Sequence, residues 1–254
     1  MKLKDDIKRT VDYAKKYNCE LSCEEIKERL ISNKVYGDEE IEQILCPSQT
    51  PVTSFDKETL KKIKKAKGLV RLLEKNFKDI LMVGITGSVA AGHPKKNDDI
   101  DLMVIVKKNT LWLTRLRLRY FIYKQQIPHR KYGLKENRNE FCFNLWLDED
   151  KLLLPKNRQN LKNAVDLILM KPIFNREDAY EKFIISNSWA KKWVATGYSK
   201  IRKHFSICST SFNGNTFCLK TINFLIFIPQ FLFMKRKIKN ERVSLKQAFF
   251  HPDD

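Results

Sequence analysis

Hydrophobic positions recur along this chain with two different periods. Apolar residues at intervals of three or four predict helices, whereas short continuous or alternating apolar runs predict strands. The predicted strands are 80–85, 100–106 and 140–147. The predicted helices are 7–17, a helix after Ser22, 38–45, 55–77, a short helix from Ser88, 110–125, 160–170, 178–198 and 216–234.

Polar residues at the predicted helix starts support these boundaries. Ser22 followed by Glu25 forms a capping-box pattern, Asp38 is predicted to cap the next helix, and Asp56 lies near the start of the 55–77 helix. In the 55–77 helix, one side is predicted to be buried and the other to be a solvated or phosphate-binding lysine face. The expected buried residues are Leu60, Ile63, Leu69, Leu72 and Leu73, and the expected lysine face is Lys57, Lys61, Lys62, Lys64, Lys65 and Lys67.

The segment 216–234 is rich in Phe, Leu and Ile and precedes a basic run at 235–239. Asn223, Pro229 and Gln230 interrupt it, so its continuous apolar part is shorter than the roughly 20 residues that cross a bilayer. We therefore predict no stable membrane span and a buried packing helix. An interfacial anchor, assisted by the basic run, is the alternative.

Composition limits the class of protein. The 254 residues are 43% hydrophobic, which suits a packed core and excludes disorder for most of the chain. Lys and Arg number 49 against 30 Asp and Glu, giving a net charge of +19 that attracts polyanions such as nucleotides, RNA or anionic membranes. The six cysteines form no CxxC pair and the start of the chain lacks an apolar signal segment, so we expect reduced, buried thiols and a cytoplasmic location.

The patterning divides the chain into three regions. Residues 1–48 form a small helical module that weakly resembles a winged helix, with a simple packing module as the alternative. A turn-rich linker follows, then a core of alternating strands and helices at 55–150 and a helical C-terminal region at 151–254.

The candidate chemistry lies in the stretch 83–106. A period of two along the strand places Asp99 and Asp101 on one face and Asp98 on the other. Two acids pointing together at the start of a buried strand repel each other, and divalent cations are the usual compensation. The Gly87-Ser88 turn before them provides backbone freedom, a hydroxyl and amide groups.

Gly-Ser, ten intervening residues and Asp-x-Asp within a hydrophobic strand resemble the DNA polymerase β-like nucleotidyltransferase superfamily. The resemblance implies an α/β (α+β) core with a mixed sheet and flanking helices. It also implies transfer of a nucleoside monophosphate from an NTP to an acceptor that the sequence does not identify, with Mg²⁺ or Mn²⁺ as cofactor. ATP is the first candidate for the NTP. Asp99 and Asp101 would be the catalytic metal ligands, Gly87 and Ser88 would bind phosphate, and Lys95 or Lys96 would supply positive charge.

Catalytic members of the superfamily carry a third carboxylate on a neighbouring strand, and this sequence departs from that pattern. The central inward position is Asn144, whose amide oxygen can ligate a metal but cannot act as a base. Glu140 and Asp148 share its strand parity and are alternatives. Two functions therefore stay open: a working nucleotidyltransferase, or a non-catalytic nucleotide- or RNA-binding protein that keeps the fold.

Overall fold

A computed structural model describes residues 2–45, 56–130, 139–203, 205, 216–235 and 241–250. The α-helices are α1 (Lys2–Lys15), α2 (Cys23–Arg29), α3 (Asp38–Glu42), α4 (Lys57–Asn76), α5 (Gly87–Ala91), α6 (Leu111–Lys124), α7 (Leu161–Leu169), α8 (Ala179–Ser186), α9 (Lys191–Lys203) and α10 (Thr216–Lys235). The strands are β1 (Ile80–Ile85), β2 (Ile100–Val106), β3 (Phe141–Asp148), β4 (Lys171–Asn175), β5 (Arg242–Val243) and β6 (Gln247–Phe249). Short 3₁₀ turns occupy Lys156–Arg158 and Ser188–Ala190.

The six strands form one mixed sheet in the order β4-β1-β2-β3-β6-β5. β2 and β3 run parallel, with Asp101 opposite Cys142, and the other neighbouring pairs are antiparallel. The parallel pair requires a crossover, which α6 provides. The predicted fold class, a mixed α/β core with flanking helices, is confirmed.

The alternating side chains of β2 separate two hydrophobic cores. Ile100, Leu102 and Val104 pack in the core that contains residues of α4 and α6. Met103 and Ile105 point the other way, into a core built largely from α7, α8 and α9. Because side chains alternate along a strand, Asp99 and Asp101 belong to the face of Met103.

Local sequence signals predicted several boundaries correctly. β1 and β2 begin and end at the predicted residues. The Ser22 hydroxyl accepts a hydrogen bond from the Glu25 amide, and the Glu25 carboxylate accepts one from the Ser22 amide. The Asp56 carboxylate likewise caps α4 by accepting from the Thr59 amide at 2.6 Å. The predicted cap at Asp38 is wrong, because Gly37 is the N-cap and Asp38 is the first helical residue.

The predicted faces of α4 need correction. Lys62, expected among the exposed lysines, is fully buried and donates to the Asp98 carbonyl at 2.6 Å. Leu60 and Leu72, expected in the core, are exposed, whereas Ala66 and Val70 are buried. The buried face is rotated relative to the prediction because the helix packs partly on the loop that precedes β2, whose carbonyl needs a donor.

The region after residue 150 is not only helical. It supplies β4 next to β1 and β6 next to β3. The helix predicted at 178–198 is divided at Asn187, whose buried amide accepts from the Leu154 amide at 2.8 Å and donates to the Leu152 carbonyl at 2.9 Å. These long-range bonds stabilise the interruption between α8 and α9. The domain boundaries at 48 and 150 stay predictions.

The buried packing helix expected at 216–234 is wrong. Among the side chains described in α10, only Asn223 and Met234 are buried, and large apolar residues face solvent. The segment Cys218–Lys235 is also long and apolar enough, by length and composition, to span a membrane. The polar residues that interrupt this apolar segment therefore do not indicate that the helix is buried in the core.

The N-terminal helices form a small core of their own and dock on the main sheet domain. Ile7, Ile26, Leu30 and Ile41 are buried together. α2 lies so close to α9 that a Cβ on Gly197 would be 2.1 Å from the Glu28 carbonyl oxygen. This docking favours the packing alternative, and the winged-helix resemblance stays a prediction.

We expect Gly197→Ala to destabilise the protein because its methyl group overlaps backbone that cannot move independently. Overpacking of this kind costs about 1–3 kcal/mol. Gly68→Ala, in the exposed middle of α4 with nothing within 4 Å of the added carbon, is the matched control and should stabilise by about 0.5–1 kcal/mol. Urea unfolding of the two variants measures both effects. Equal changes in the two would contradict the close contact between α2 and α9.

Candidate active site

The structure brings two aspartates and a thiol together at the start of the parallel strands. Asp99 and Asp101 lie on one face of the β2 start, and Cys142 lies on β3 opposite Asp101. One potential ligand atom from each lies within 4.8 Å of the others. Among the residues that the structure describes, this is the group of acids and thiols with spacing suited to a metal ion.

Protein donors partly compensate the negative charge of this pair. The Arg130 guanidinium donates to Asp99 Oδ2 at 3.1 Å, and Asp99 is only 4% exposed. The Asn144 amide donates to Asp101 Oδ1 at 2.8 Å. Arg130 is placed there because its backbone amide binds the Phe141 carbonyl at 3.0 Å. Both carboxylates therefore have a polar partner without any ion.

Cys142 is held as a neutral thiol. Burial raises its pKa well above the ordinary value, and the charges of Asp101 and Asp99 raise it further. A neutral thiol does not add to the repulsion at the site. A bound cation would favour its thiolate, which is the form that ligates metals.

Asn144 lies at an irregularity in the pairing of β2 with β3, between the pairs Leu102–Phe143 and Met103–Leu145. The bulge keeps its side chain beside Asp101. Its amide oxygen is buried and has no hydrogen-bond partner among the described residues. An unpaired buried acceptor costs free energy, so the oxygen is suited to receive a ligand donor or a cation.

Position 87 requires glycine for two reasons, its backbone conformation and its distance from Asp101. Its φ is +65°, and a Cβ there would lie 2.5 Å from Asp101 Oδ2. Any side chain would therefore combine a strained backbone with a collision at the carboxylate. The glycine lets the first turn of α5 approach Asp101 closely.

The Ser88 hydroxyl is bound differently from the expectation. It donates to Asp98 Oδ2 at 2.8 Å, and the Lys95 amide donates to the same oxygen at 2.9 Å. Asp98 therefore closes the loop between α5 and β2, and the proton of Ser88 is directed to that acid. Lys95 and Lys96 lie exposed on the loop, so their side chains extend into solvent next to the site.

A cavity of about 300 Å³ opens beside Asp101, Gly87 and Asn144. Its other wall comes from α7 and the preceding turn, with Arg158, Asn160, Lys162, Asn163 and Asp166 among its polar residues. A larger cavity of about 720 Å³ lies between Pro155, Trp189 and Arg242 and does not include the aspartates. The smaller cavity is therefore the candidate binding site, because Asp101 of the acid cluster, Gly87 and Asn144 line it.

Asp166 is an unusual member of this cavity. Burial raises its pKa to about 6, Lys162 opposes the shift and the charge of Asp101 adds to it. Sequence patterning did not single it out, since an acid beside the apolar stripe of a helix is usually solvated. Its approach to the site depends on how α7 packs on the sheet.

The two alternatives for a third acid are not in the cluster. Asp148 pairs with Val106 at the far end of β2 and accepts from the Asn109 amide at 2.7 Å. Glu140 precedes β3, and its backbone carbonyl accepts from the Ile100 amide at 2.8 Å. Cys142 was overlooked as a site residue, although it shares the strand parity of Asn144. Arg130 had no sequence signal, because it lies in irregular chain between α6 and β3.

The structure places a Gly-Ser turn next to paired aspartates on a mixed sheet, as the sequence resemblance implied. Residues 63–188 match the family model described as the nucleotidyltransferase domain. The chain therefore carries a nucleotidyltransferase domain, which matches the DNA polymerase β-like nucleotidyltransferase superfamily. A comparison with curated proteins found no match.

Asp166→Asn should change how stability depends on pH. The folded-state pKa of about 6 exceeds the ordinary 3.8, so ionisation penalises the folded state progressively between these values and fully above them. The variant cannot ionise and should therefore gain about 1–2 kcal/mol over wild type at pH 8 relative to pH 4. Melting temperatures in metal-free buffer measure this gain. The exposed Asp12→Asn is the control, and an equal pH dependence in both variants would contradict the assignment.

Proposed function

We propose that this protein transfers a nucleoside monophosphate from an NTP, with ATP as the first candidate, to an acceptor hydroxyl, using Mg²⁺ or Mn²⁺. The observation that carries the proposal is the juxtaposition of Asp99 and Asp101 with the close approach of Gly87. The family match supports a general nucleotidyl-transfer role. The metal, the nucleotide and the acceptor belong to the proposal.

The residues at the site fit a divalent cation. Carboxylate oxygens are the donors that Mg²⁺ and Mn²⁺ prefer, and the unpaired oxygen of Asn144 offers a neutral one. Asp99, Asp101 and Asn144 would hold the ion, with Cys142 next to them. When bound, the ion neutralises the triphosphate and lowers the pKa of the acceptor hydroxyl.

The other residues have roles in binding and orientation. The backbone amides at Gly87 and Ser88 would hold phosphate oxygens, while Asp98 keeps the Ser88 hydroxyl and the following loop in place. Lys95 and Lys96, exposed on that loop, would add positive charge as the triphosphate enters. The net charge of +19 supports a polyanionic partner, for which RNA is the candidate. We also propose a cytoplasmic location, because the cysteines in the sequence form no CxxC pair. The burial expected of the thiols is wrong for the described cysteines, since Cys19, Cys23 and Cys142 are partly buried and Cys218 is exposed.

Asp101→Asn should abolish turnover and metal-dependent nucleotide binding because it removes a ligand charge. We expect pyrophosphate release from ATP, with Mg²⁺ and total RNA as a source of acceptors, to fall by about 10³-fold. Saturating Mg-ATP should raise the melting temperature of wild type by roughly 5–10 °C and leave that of the variant unchanged.

Asp79→Asn is the matched control, since it removes an acid just before the first residue of β1, at the end of that strand opposite to Gly87. It should keep both pyrophosphate release and the Mg-ATP shift. Without ligand, Asp101→Asn should melt close to wild type because the Asn144 amide can pair with the new amide oxygen. Normal turnover by Asp101→Asn would show that the proposed metal site is wrong.

A second candidate is a non-catalytic nucleotide- or RNA-binding protein, and two features favour it. Arg130 already supplies to Asp99 a positive charge that a bound cation would otherwise provide. Asn144 also replaces the third carboxylate by a group that cannot accept a proton from the acceptor. In this reading the guanidinium stands where an ion would be, and nucleotide binds without turnover.

Arg130→Met separates the two candidates. If the site is a metal-dependent transferase, ATP binding requires Mg²⁺ and the variant retains it, because Asp99 and Asp101 supply the negative charge that attracts the ion. If the guanidinium replaces the ion, wild type binds ATP in EDTA and the variant loses that binding by about tenfold or more. Calorimetric titration with and without Mg²⁺ measures both. Arg117→Met is the control. It breaks the 2.9 Å ion pair between Arg117 and Asp79, which lies away from the site, and should leave both titrations unchanged.

A further inference from the structure

Helix α10 turns two of its polar residues, Asn223 and Gln230, towards the protein. The Asn223 side-chain oxygen accepts from the Trp112 amide at 2.7 Å, at the start of α6. Gln230 donates to the Trp112 carbonyl at 3.1 Å and accepts from the Arg115 guanidinium at 2.8 Å. The Phe227 ring adds an aromatic contact to Trp112. These contacts fix α10 against α6 along its polar side.

The opposite side of α10 is apolar and exposed. At 100° per residue, the exposed large side chains of this helix fall on one arc of about 220°. Leu225, Leu232 and Phe233 are 60%, 58% and 61% exposed. The others on this arc are Leu219, Ile222, Phe224 and Ile228. A water-facing helix normally shows the reverse polarity, so this face is built for contact with something other than water.

The neighbouring helix α6 continues this character. Leu116, Tyr120 and Tyr123 are exposed at successive helical turns. Every charged residue in the sequences of α6 and α10 is basic: Arg115, Arg117, Arg119, Lys124, Lys220 and Lys235. The sequence after α10 continues with further basic residues at 236, 237 and 239. Exposed tyrosines and charged residues of only positive sign around an apolar stripe are typical of surfaces that meet lipid head groups.

We propose that α10 and the exposed side of α6 form a docking surface for an anionic lipid bilayer. The apolar arc of α10 enters the boundary between head groups and acyl chains. The exposed basic residues of the two helices contact lipid phosphates; these are Arg117, Arg119, Lys124, Lys220 and Lys235. α10 lies along the membrane instead of crossing it, because a span would break the bonds of Asn223 and Gln230 to α6. A second copy is a poorer occupant, since two chains of +19 repel each other.

The docking surface and the candidate active site use opposite faces of the sheet. Ile226, Phe227 and Met234 of α10 pack in the core that contains α6. Asp101 and its cavity lie on the face covered by α7. Membrane docking therefore leaves the cavity accessible, and the two proposals can be tested separately.

Flotation of the purified full chain with lipid vesicles tests the proposal. Wild type should float with phosphatidylcholine vesicles that contain about 30% phosphatidylglycerol, and much less with phosphatidylcholine alone. The double variant Leu225→Asn/Leu232→Asn should lose at least about tenfold in partitioning, because two exposed leucines no longer enter the bilayer. The matched control is Leu60→Asn/Leu72→Asn, which removes two leucines that are 53% and 45% exposed on α4 and should float like wild type.

Three results would overturn the docking surface. In the first, wild type stays at the bottom of the gradient with anionic vesicles. In the second, both double variants float equally well or lose binding equally. In the third, wild type is a dimer in sedimentation velocity, does not float, and becomes a monomer with Leu225→Asn/Leu232→Asn. ATP binding measured on the same samples should be equal in wild type and both double variants, so failure of the nucleotide proposal is recognised independently.

Discussion

The repulsion between Asp99 and Asp101 is the constraint on which the rest of the site depends. A strand period of two places both acids on one face, and burial of Asp99 strengthens every charge interaction there. Arg130 and Asn144 supply positive charge and a hydrogen-bond donor, while Cys142 stays neutral. What remains is a site that tolerates its acids without a metal ion and still has an unpaired oxygen for one.

The loop between α5 and β2 connects this site to distant parts of the chain. The Asp98 carboxylate accepts from the Ser88 hydroxyl in α5 and from the Lys95 amide within the loop, and the buried Lys62 of α4 donates to the Asp98 carbonyl. From the N-terminal module, Arg29 donates to the Ala91 carbonyl at 3.2 Å and His93 contacts Glu25 at 2.8 Å. The module thus braces the loop expected to meet the triphosphate, which gives the packing interpretation of its helices a functional consequence.

Elements that depend on neighbouring residues in sequence were predictable. The capping box at Ser22, the strand at 80–85 and the strand at 100–106 follow from side-chain spacing and short-range hydrogen bonds. Elements that depend on distant partners were not. The break at Asn187 is stabilised by hydrogen bonds to residues more than thirty positions away, and Lys62 can be buried because a loop carbonyl accepts a hydrogen bond from its ammonium group.

The sequence by itself determined the fold class, the family and the shared face of Asp99 and Asp101, because strand periodicity and a Gly-Ser turn act locally. Only the tertiary structure decided which groups surround them. Arg130 lies in irregular chain and reaches Asp99 by its side chain. The parallel pairing of β2 with β3 places Cys142 opposite Asp101, and the packing of α7 places Asp166 in the cavity. The outward apolar face of α10 was likewise set by tertiary bonds to α6, since hydrophobicity alone does not say whether a helix is covered by protein or by another apolar phase.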